Sequence, residues 1–207
     1  MNNLLNESSD MRDRILFEKI PSSQKWLPVI VNAIRDKKTI EVTYQSFWKD
    51  EPSTFILHPY CLKLFKQRWY VLGRSDGYDD PWIYALDERM KNVIPQKKAL
   101  KMPAKFNAAD FFGKYFGVII SSDIPVETVE LKVDEDQVMY FRSLPLHPSQ
   151  TEIETNGEYS VFQYRLVPTF DFKQEILSHG MSVEVLSPES LRDEIHAEIK
   201  KMLQRYD

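Results

Sequence analysis

The stretch TIEVTYQSFWKDEPSTFILHPYCLKLFKQRWYVLGRSDGYDDPWIYAL, residues 39–86, decides how the first half of the chain folds. Ile40, Val42 and Tyr44 alternate with Glu41 and Thr43, the period-two pattern of a half-buried strand. Further strands are predicted at about 54–58, 60–65, 68–74 and 82–86. Lys66-Gln67 reads as a tight turn between the second and third of these, and Ser75-Asp76-Gly77 with Asp79-Asp80-Pro81 as the next loop. Five short strands in about 50 residues, with no helix among them, predict a small five-stranded antiparallel barrel.

Upstream, residues 1–13 are polar and residues 14–20 read as a short ordered lead-in. A helix is expected to open at Ser22 or Ser23, whose hydroxyls can cap its free N–H groups. Trp26, Leu27, Ile30, Val31 and Ile34 then share one face, and Lys37 and Lys38 close the helix where cations suit its dipole. Downstream, residues 87–107 read as a connection broken by Pro95 and Pro103. Asn107 is expected to cap a short aromatic helix running through Phe111, Phe112, Tyr115 and Phe116 and stopped by Gly117.

The rhythm changes beyond residue 126. Val129, Leu131 and Val133 alternate as a strand, and a helix opened by Asp134 or Asp136 carries Val138, Met139 and Phe141. Residues 151–154 and 159–167 flank Asn156-Gly157, a strong hairpin signal. A helix over about 172–179 ends at Gly180, Val183–Leu186 is a last strand, and Ser187-Pro188 opens a tail helix with Leu191, Ile195, Ile199 and Leu203 on one side. The order β-α-β-β-α-β plus a tail helix is the ferredoxin-like pattern. The fold class is therefore α+β, divided as a linker-like segment 1–22, a barrel with its leading helix over 23–103, a connection over 104–125 and a ferredoxin-like domain over 126–207.

Composition sets further bounds. The chain has 207 residues, 43% hydrophobic and 28% charged, enough to bury a core without a disulfide or metal. The lone Cys61 cannot pair within the chain and fits a reducing compartment. No apolar run approaches the ~18 residues of a membrane span, and no secretory leader is evident. A cytoplasmic location without membrane contact is expected. Lys and Arg number 17 against 13 Asp and Glu over residues 1–103, but 10 against 18 over residues 104–207. The acidic second half repels phosphates, so an anionic partner should meet the first half.

Catalytic patterns are missing from the sequence. His58, His147, His179 and His196 show no metal-ligand spacing, and Glu194 and Glu198 lie off the helix face of His196. Cys61 stands in an apolar strand. Six glycines supply no phosphate loop, nucleophile elbow or dinucleotide fingerprint. Neither an enzyme nor a cofactor is expected.

Four short runs carry a family resemblance: Tyr44-Gln45-Ser46, His58-Pro59-Tyr60-Cys61-Leu62, Arg68-Trp69-Tyr70-Val71-Leu72-Gly73 and Tyr84-Ala85-Leu86-Asp87. Their order and spacing resemble the WYL domain, with Trp69-Tyr70-Val71 in place of its Trp-Tyr-Leu. Leu177-Ser178-His179-Gly180, Val183-Glu184-Val185-Leu186, Pro188 and Leu191-Arg192 resemble the WCX domain that commonly follows. Together they span roughly residues 25–205. The resemblance implies an Sm-like (SH3-like) barrel from a bacterial transcription regulator, sensing a nucleotide-like or nucleic-acid anion. A winged helix-turn-helix usually precedes the barrel; residues 1–22 are too short for one and resemble the linker that follows it. The family's Arg-Leu-Asp-Arg run is here Ala85-Leu86-Asp87-Glu88-Arg89, one arginine fewer and the other displaced.

The resemblance implies Tyr44, Ser46, His58, Arg68, Trp69, Tyr70, Arg74 and Arg89 as ligand-site candidates. Arginine forks grip phosphate oxygens in pairs, and aromatic rings stack bases. Strand parity places Arg68, Tyr70, Leu72 and Arg74 on one face and Trp69 on the other, in the core. A structural hydrogen bond accounts for His58 as well as a ligand does. The expected partners are the anionic ligand and a second copy of the chain in a homodimer, with duplex DNA reached only through a separate helix-turn-helix. A stand-alone single-stranded nucleic-acid binder and a dimerisation scaffold are the competing functions.

Overall fold

Strand β1 (Lys38–Tyr44) turns Ile40 and Val42 into full burial, as their alternation requires, and pairs on both sides. The computed structural model describes residues 24–207, so the Ser22 and Ser23 caps and the segment 1–22 lie outside the described residues. Strand β2 (Ser53–Phe65) flanks β1 on one side, followed by β3 (Arg68–Ser75) and β4 (Trp82–Ala85); β5 (Met90–Ala99) flanks it on the other. The sheet order is β4-β3-β2-β1-β5, antiparallel throughout. Among the described residues no pairing joins β4 to β5, so this sheet is not a closed barrel as expected, but open at both edges.

Two strand assignments need correction. The segments expected at 54–58 and 60–65 are one strand, β2, with a register shift between Pro59 and Cys61. Pro59 does not break it because pairing to β1 ends at Leu57, so the missing N–H deprives no ladder. The strand expected at 82–86 is β4, and a further strand that was not expected, β5, lies at Met90–Ala99, inside the expected connection. It is an edge strand with only Met90 and Val93 buried, which is why its lysines and Pro95 disguise it.

Helix α1 (Leu27–Arg35) covers this sheet, and Trp26, Ile30 and Ala33 join Ile40, Val42, Leu57, Val71, Leu86, Met90 and Val93 in the first core. Trp26 Nε1 donates to Met90 O at 3.0 Å, satisfying the indole inside that core. Helix α2 (Ala108–Phe112) is capped by Asn107, whose Oδ1 accepts from the Ala109 and Asp110 N–H groups. It ends at Gly113, not Gly117, so Tyr115 and Phe116 lie beyond it. Tyr115 instead bridges to Val167 of the second unit.

That unit runs β6 (Glu127–Asp134), α3 (Glu135–Ser143), β7 (Thr151–Thr155), β8 (Tyr159–Leu166), α4 (Phe170–Ser178), β9 (Val183–Ser187) and α5 (Glu189–Leu203). The β7–β8 hairpin turns at Asn156-Gly157, where Gly157 takes φ +90°. The sheet order is β7-β8-β6-β9. Val129, Leu131 and Val133 meet Phe141, Phe162, Tyr164, Phe172, Leu191 and Ile195 in a second core. Ile199 and Leu203, expected on the same side of α5, stay about half exposed beyond it. Among the described residues no helix is long and apolar enough to cross a membrane.

The backbone is closely approached at Gly73, paired with Pro59 beside the β2 irregularity. A Cβ there would lie 2.5 Å from His58 O and 2.9 Å from Leu57 Cδ1. Gly73→Ala is therefore expected to destabilise the protein by about 1–3 kcal/mol in urea denaturation.

Candidate functional site

Two half-buried arginines converge on one buried carboxylate at the end of β4. Asp87 is fully enclosed. Arg89 grips it with both prongs, Nε to Oδ1 at 2.9 Å and Nη2 to Oδ2 at 2.6 Å, while its backbone N–H donates to Oδ1 at 3.1 Å. Arg68, the first residue of β3, reaches the same carboxylate with Nη1 3.3 Å from Oδ2. The arginine side chains remain 34% (Arg68) and 22% (Arg89) exposed. Two guanidinium ions against one carboxylate leave one net positive charge open to solvent.

Burial by itself would push the Asp87 carboxyl up; the hydrogen bonds and charge of Arg89, with the charge of Arg68, outweigh it and hold the carboxyl below its ordinary value. The hydrogen bond to Asp87 in turn raises Arg89, against its own burial. Aromatic rings complete the surroundings. The Arg89 guanidinium carbon lies 4.6 Å from the Phe47 ring centroid and 6.0 Å from that of Tyr44. Tyr44 packs edge-on against Tyr84 at 5.3 Å, and burial pushes its phenol pKa up. Phe47 is largely exposed and Trp48, its neighbour in the β1–β2 loop, is 94% exposed.

The structure thus brings Tyr44, Arg68 and Arg89 together, with Tyr70 within electrostatic reach of Arg89. Trp69 packs against the first core on the opposite face of β3 from Tyr70. Leu72 is buried and interrupts the Arg68-Tyr70-Arg74 row. Arg74 is six residues along the strand from Arg68, about 20 Å away, and its Nη1 donates to Tyr78 O at 2.8 Å. Ser46 Oγ accepts from the Trp48 N–H at 3.2 Å and shapes the loop carrying Phe47.

His58 is enclosed and both its ring nitrogens are engaged. Nδ1 accepts from the Lys101 N–H at 2.9 Å, which leaves Nε2 to donate to Asp76 Oδ1 at 2.9 Å. Lys98 and His58 together hold the Asp76 carboxyl down at about 2. The ring ties β2 to the end of β5 and offers no nitrogen to a ligand.

Asp87 and Phe47 were not among the sequence candidates. Asp87 stands in the quoted Tyr84–Asp87 run, and the pair Phe47-Trp48 in a polar loop was the only other signal. A separate cavity of about 370 Å³ lies between β4 and the connecting segment, lined among others by Asp80, Trp82, Phe111, Lys114 and Tyr115. Among the described residues no group of three or more His, Cys, Asp or Glu side chains is placed to hold a metal ion.

Comparison with known proteins gives two family matches, the WYL domain over residues 25–95 and the WCX domain over residues 125–203. No curated protein matches the chain. Among solved structures, a CRISPR Cas-related protein is 16% identical with a TM-score of 0.51, the match covering 86% of this chain and 50% of that one. Proteasome accessory factor B/C (PafBC) of Arthrobacter aurescens is 19% identical with a TM-score of 0.42, covering 87% and 27%. The first of these likenesses is one of fold. The chain spans about half and about a quarter of the two proteins' lengths.

Asp87 sets an acid limit on the site. Its folded pKa is depressed below the unfolded value of ~3.9, so its contribution is fully present above that value and is lost as pH falls through the folded pKa. Asp87→Asn is expected to lower stability by about 1–3 kcal/mol near neutral pH. In denaturant titrations across pH, the gap between wild type and variant should close towards acid.

Proposed function

Because the chain belongs to the proteins in which a WYL domain is followed by a WCX domain, we propose that it is the ligand-sensing module of a transcription regulator. Its ligand is an anionic nucleotide or a short single-stranded nucleic acid. The observation that carries this reading is the exposed face of the Arg68–Asp87–Arg89 cluster beside Phe47. Asp87 pre-orients two guanidinium forks, whose remaining N–H donors suit phosphate oxygens, and Phe47, Tyr44 and Tyr70 offer rings for a base. The surplus of basic residues over 1–103 favours the same face.

The Sm-like reading of residues 23–103 is supported by five antiparallel strands in the order β4-β3-β2-β1-β5 behind a leading helix. The ferredoxin-like reading of residues 126–207, beyond a connection over 104–125, is supported by the β-α-β-β-α-β succession and the order β7-β8-β6-β9. Among the described residues no helix follows another across a short turn in the manner of a helix-turn-helix, so promoter reading is assigned to a separate DNA-binding domain.

Calorimetry with nucleotides and single-stranded oligonucleotides tests the site. Arg68→Ala and Arg89→Ala should each weaken binding about ten- to a hundred-fold, or roughly 1.5–3 kcal/mol. Arg74→Ala should leave it unchanged. Equal binding by wild type, Arg68→Ala, Arg89→Ala and Tyr70→Ala would place the ligand elsewhere. Affinity that climbs with oligonucleotide length and falls steeply with salt would favour a direct single-stranded nucleic-acid binder over a sensor. Duplex promoter DNA should show no sequence-selective, salt-resistant complex in an anisotropy titration.

A further inference from the structure

The β2–β3 hairpin carries Arg68 on its return strand and plants its tip on the second unit. Its turn places Lys66 (φ +43°) and Gln67 (φ +65°) in the left-handed region, a conformation that side-chain-bearing residues rarely adopt in succession. The Phe65–Arg68 pair closes it as a two-residue hairpin turn, and contacts beyond the hairpin add to that restraint. Phe65 stands perpendicular to Phe116 at 5.6 Å, and Phe116 lies 5.6 Å from Phe172 of the second core. Lys66 Nζ meets Glu175 Oε2 of α4 at 2.8 Å. Lys63 Nζ donates to Gly117 O and lies 4.2 Å from the Phe112 ring centroid.

The receiving surface is itself stapled to α4. Asp171, in its first turn, accepts from the Val118 N–H at 2.8 Å and the Ile119 N–H at 3.0 Å through Oδ2, while Oδ1 accepts from Thr169 Oγ1 at 2.6 Å. Gly117 leaves no slack in this joint, since a Cβ there would lie 2.2 Å from Asp171 Oδ2 and 2.6 Å from Phe65 Cζ. Loop 116–119 and α4 therefore behave as one seat for the hairpin tip. Two residues past Lys66, on the side of the first sheet, Arg68 is held by Asp87.

We infer that the β2–β3 hairpin is a lever coupling occupancy of the arginine site to the seating of the second unit on the first. The inference rests on the ligand site proposed above and names its regulation. An anion on the remaining donors of Arg68 and Arg89 draws Arg68 off its one 3.3 Å contact with Asp87, while Arg89 keeps its two-pronged grip. Arg68 then leaves Asp87, the left-handed turn loses its restraint on the β3 side, and the tip loosens from Phe116 and Glu175. Linkage makes the effect reciprocal, so loosening the tip must raise affinity at the site.

Phe65→Ala, a change without charge, removes the aromatic contact; Lys66→Glu sets like charges against Glu175. Both variants should bind single-stranded oligothymidylate about five-fold more tightly than wild type. For Lys66→Glu a simple charge effect would weaken binding instead, so the sign separates the two causes. Combining Lys66→Glu with Glu175→Lys restores the pair and should return the affinity towards wild type. Unchanged or weaker binding in Phe65→Ala and Lys66→Glu overturns the lever. Should wild type bind none of the nucleotides or oligonucleotides, the ligand assignment fails, and hydrogen exchange without ligand decides the lever separately. Asp87→Ala should then speed exchange over residues 170–178 while the β6–β8 ladder keeps its protection; unchanged exchange over 170–178 overturns it.

Discussion

The register between β2 and β3 is the constraint on which the rest depends. At thirteen residues β2 reaches about 40 Å, so one strand serves two places. Its first half pairs with β1 and puts Leu57 into the first core; its second half, shifted at Pro59, pairs only with β3 and carries Lys63 and Phe65 to the second unit. The same pairing sets Phe65 opposite Arg68 and Lys63 opposite Tyr70. A slip of one residue would turn Val71 out of the core and Tyr70 into it. Gly73 against the His58 carbonyl and the His58 ring against Asp76 and Lys101 guard that register at the far end.

Asp87 plays the corresponding part for the site. A carboxylate removed from water needs compensating donors, and here both oxygens are met by charged ones. The arrangement trades solvation of Asp87 for orientation of Arg68 and Arg89, which stand on different strands' ends and would otherwise sample many rotamers. The displaced arginine of the family's Arg-Leu-Asp-Arg run still reaches the carboxylate: Arg89 lies two residues past Asp87, and its backbone N–H and fork close a compact ring on it.

The charge asymmetry of the sequence gains a structural meaning in this frame. The acidic half is the β6–β9 unit, whose Glu175 and Asp171 face the hairpin and the 116–119 loop. Opposite charges thus meet at the joint between the units, Lys66 on one side and Glu175 on the other, in addition to setting the sign of the surface.

Much of this is legible in the sequence. The period-two runs gave β1, β3, β6 and β9; Asn156-Gly157 gave the β7–β8 hairpin; strand parity separated Trp69 from Tyr70; and the motif order gave the family. These are properties of neighbours in sequence, where side-chain alternation and turn chemistry act over a few residues. The charged edge strand β5, the continuity of β2 through Pro59 and the open edges of the first sheet were decided by which strands found partners, a long-range matter. So was the site. Arg68, Asp87 and Arg89 meet because β3 and the end of β4 lie side by side, while Arg74 and His58, equally eligible by residue type, are carried away to Tyr78 and to Asp76 with Lys101. Sequence determined which residues could bind an anion; only the packing of strands decided which of them share a place, because burial and pairing of a charge depend on neighbours that the chain brings in from elsewhere.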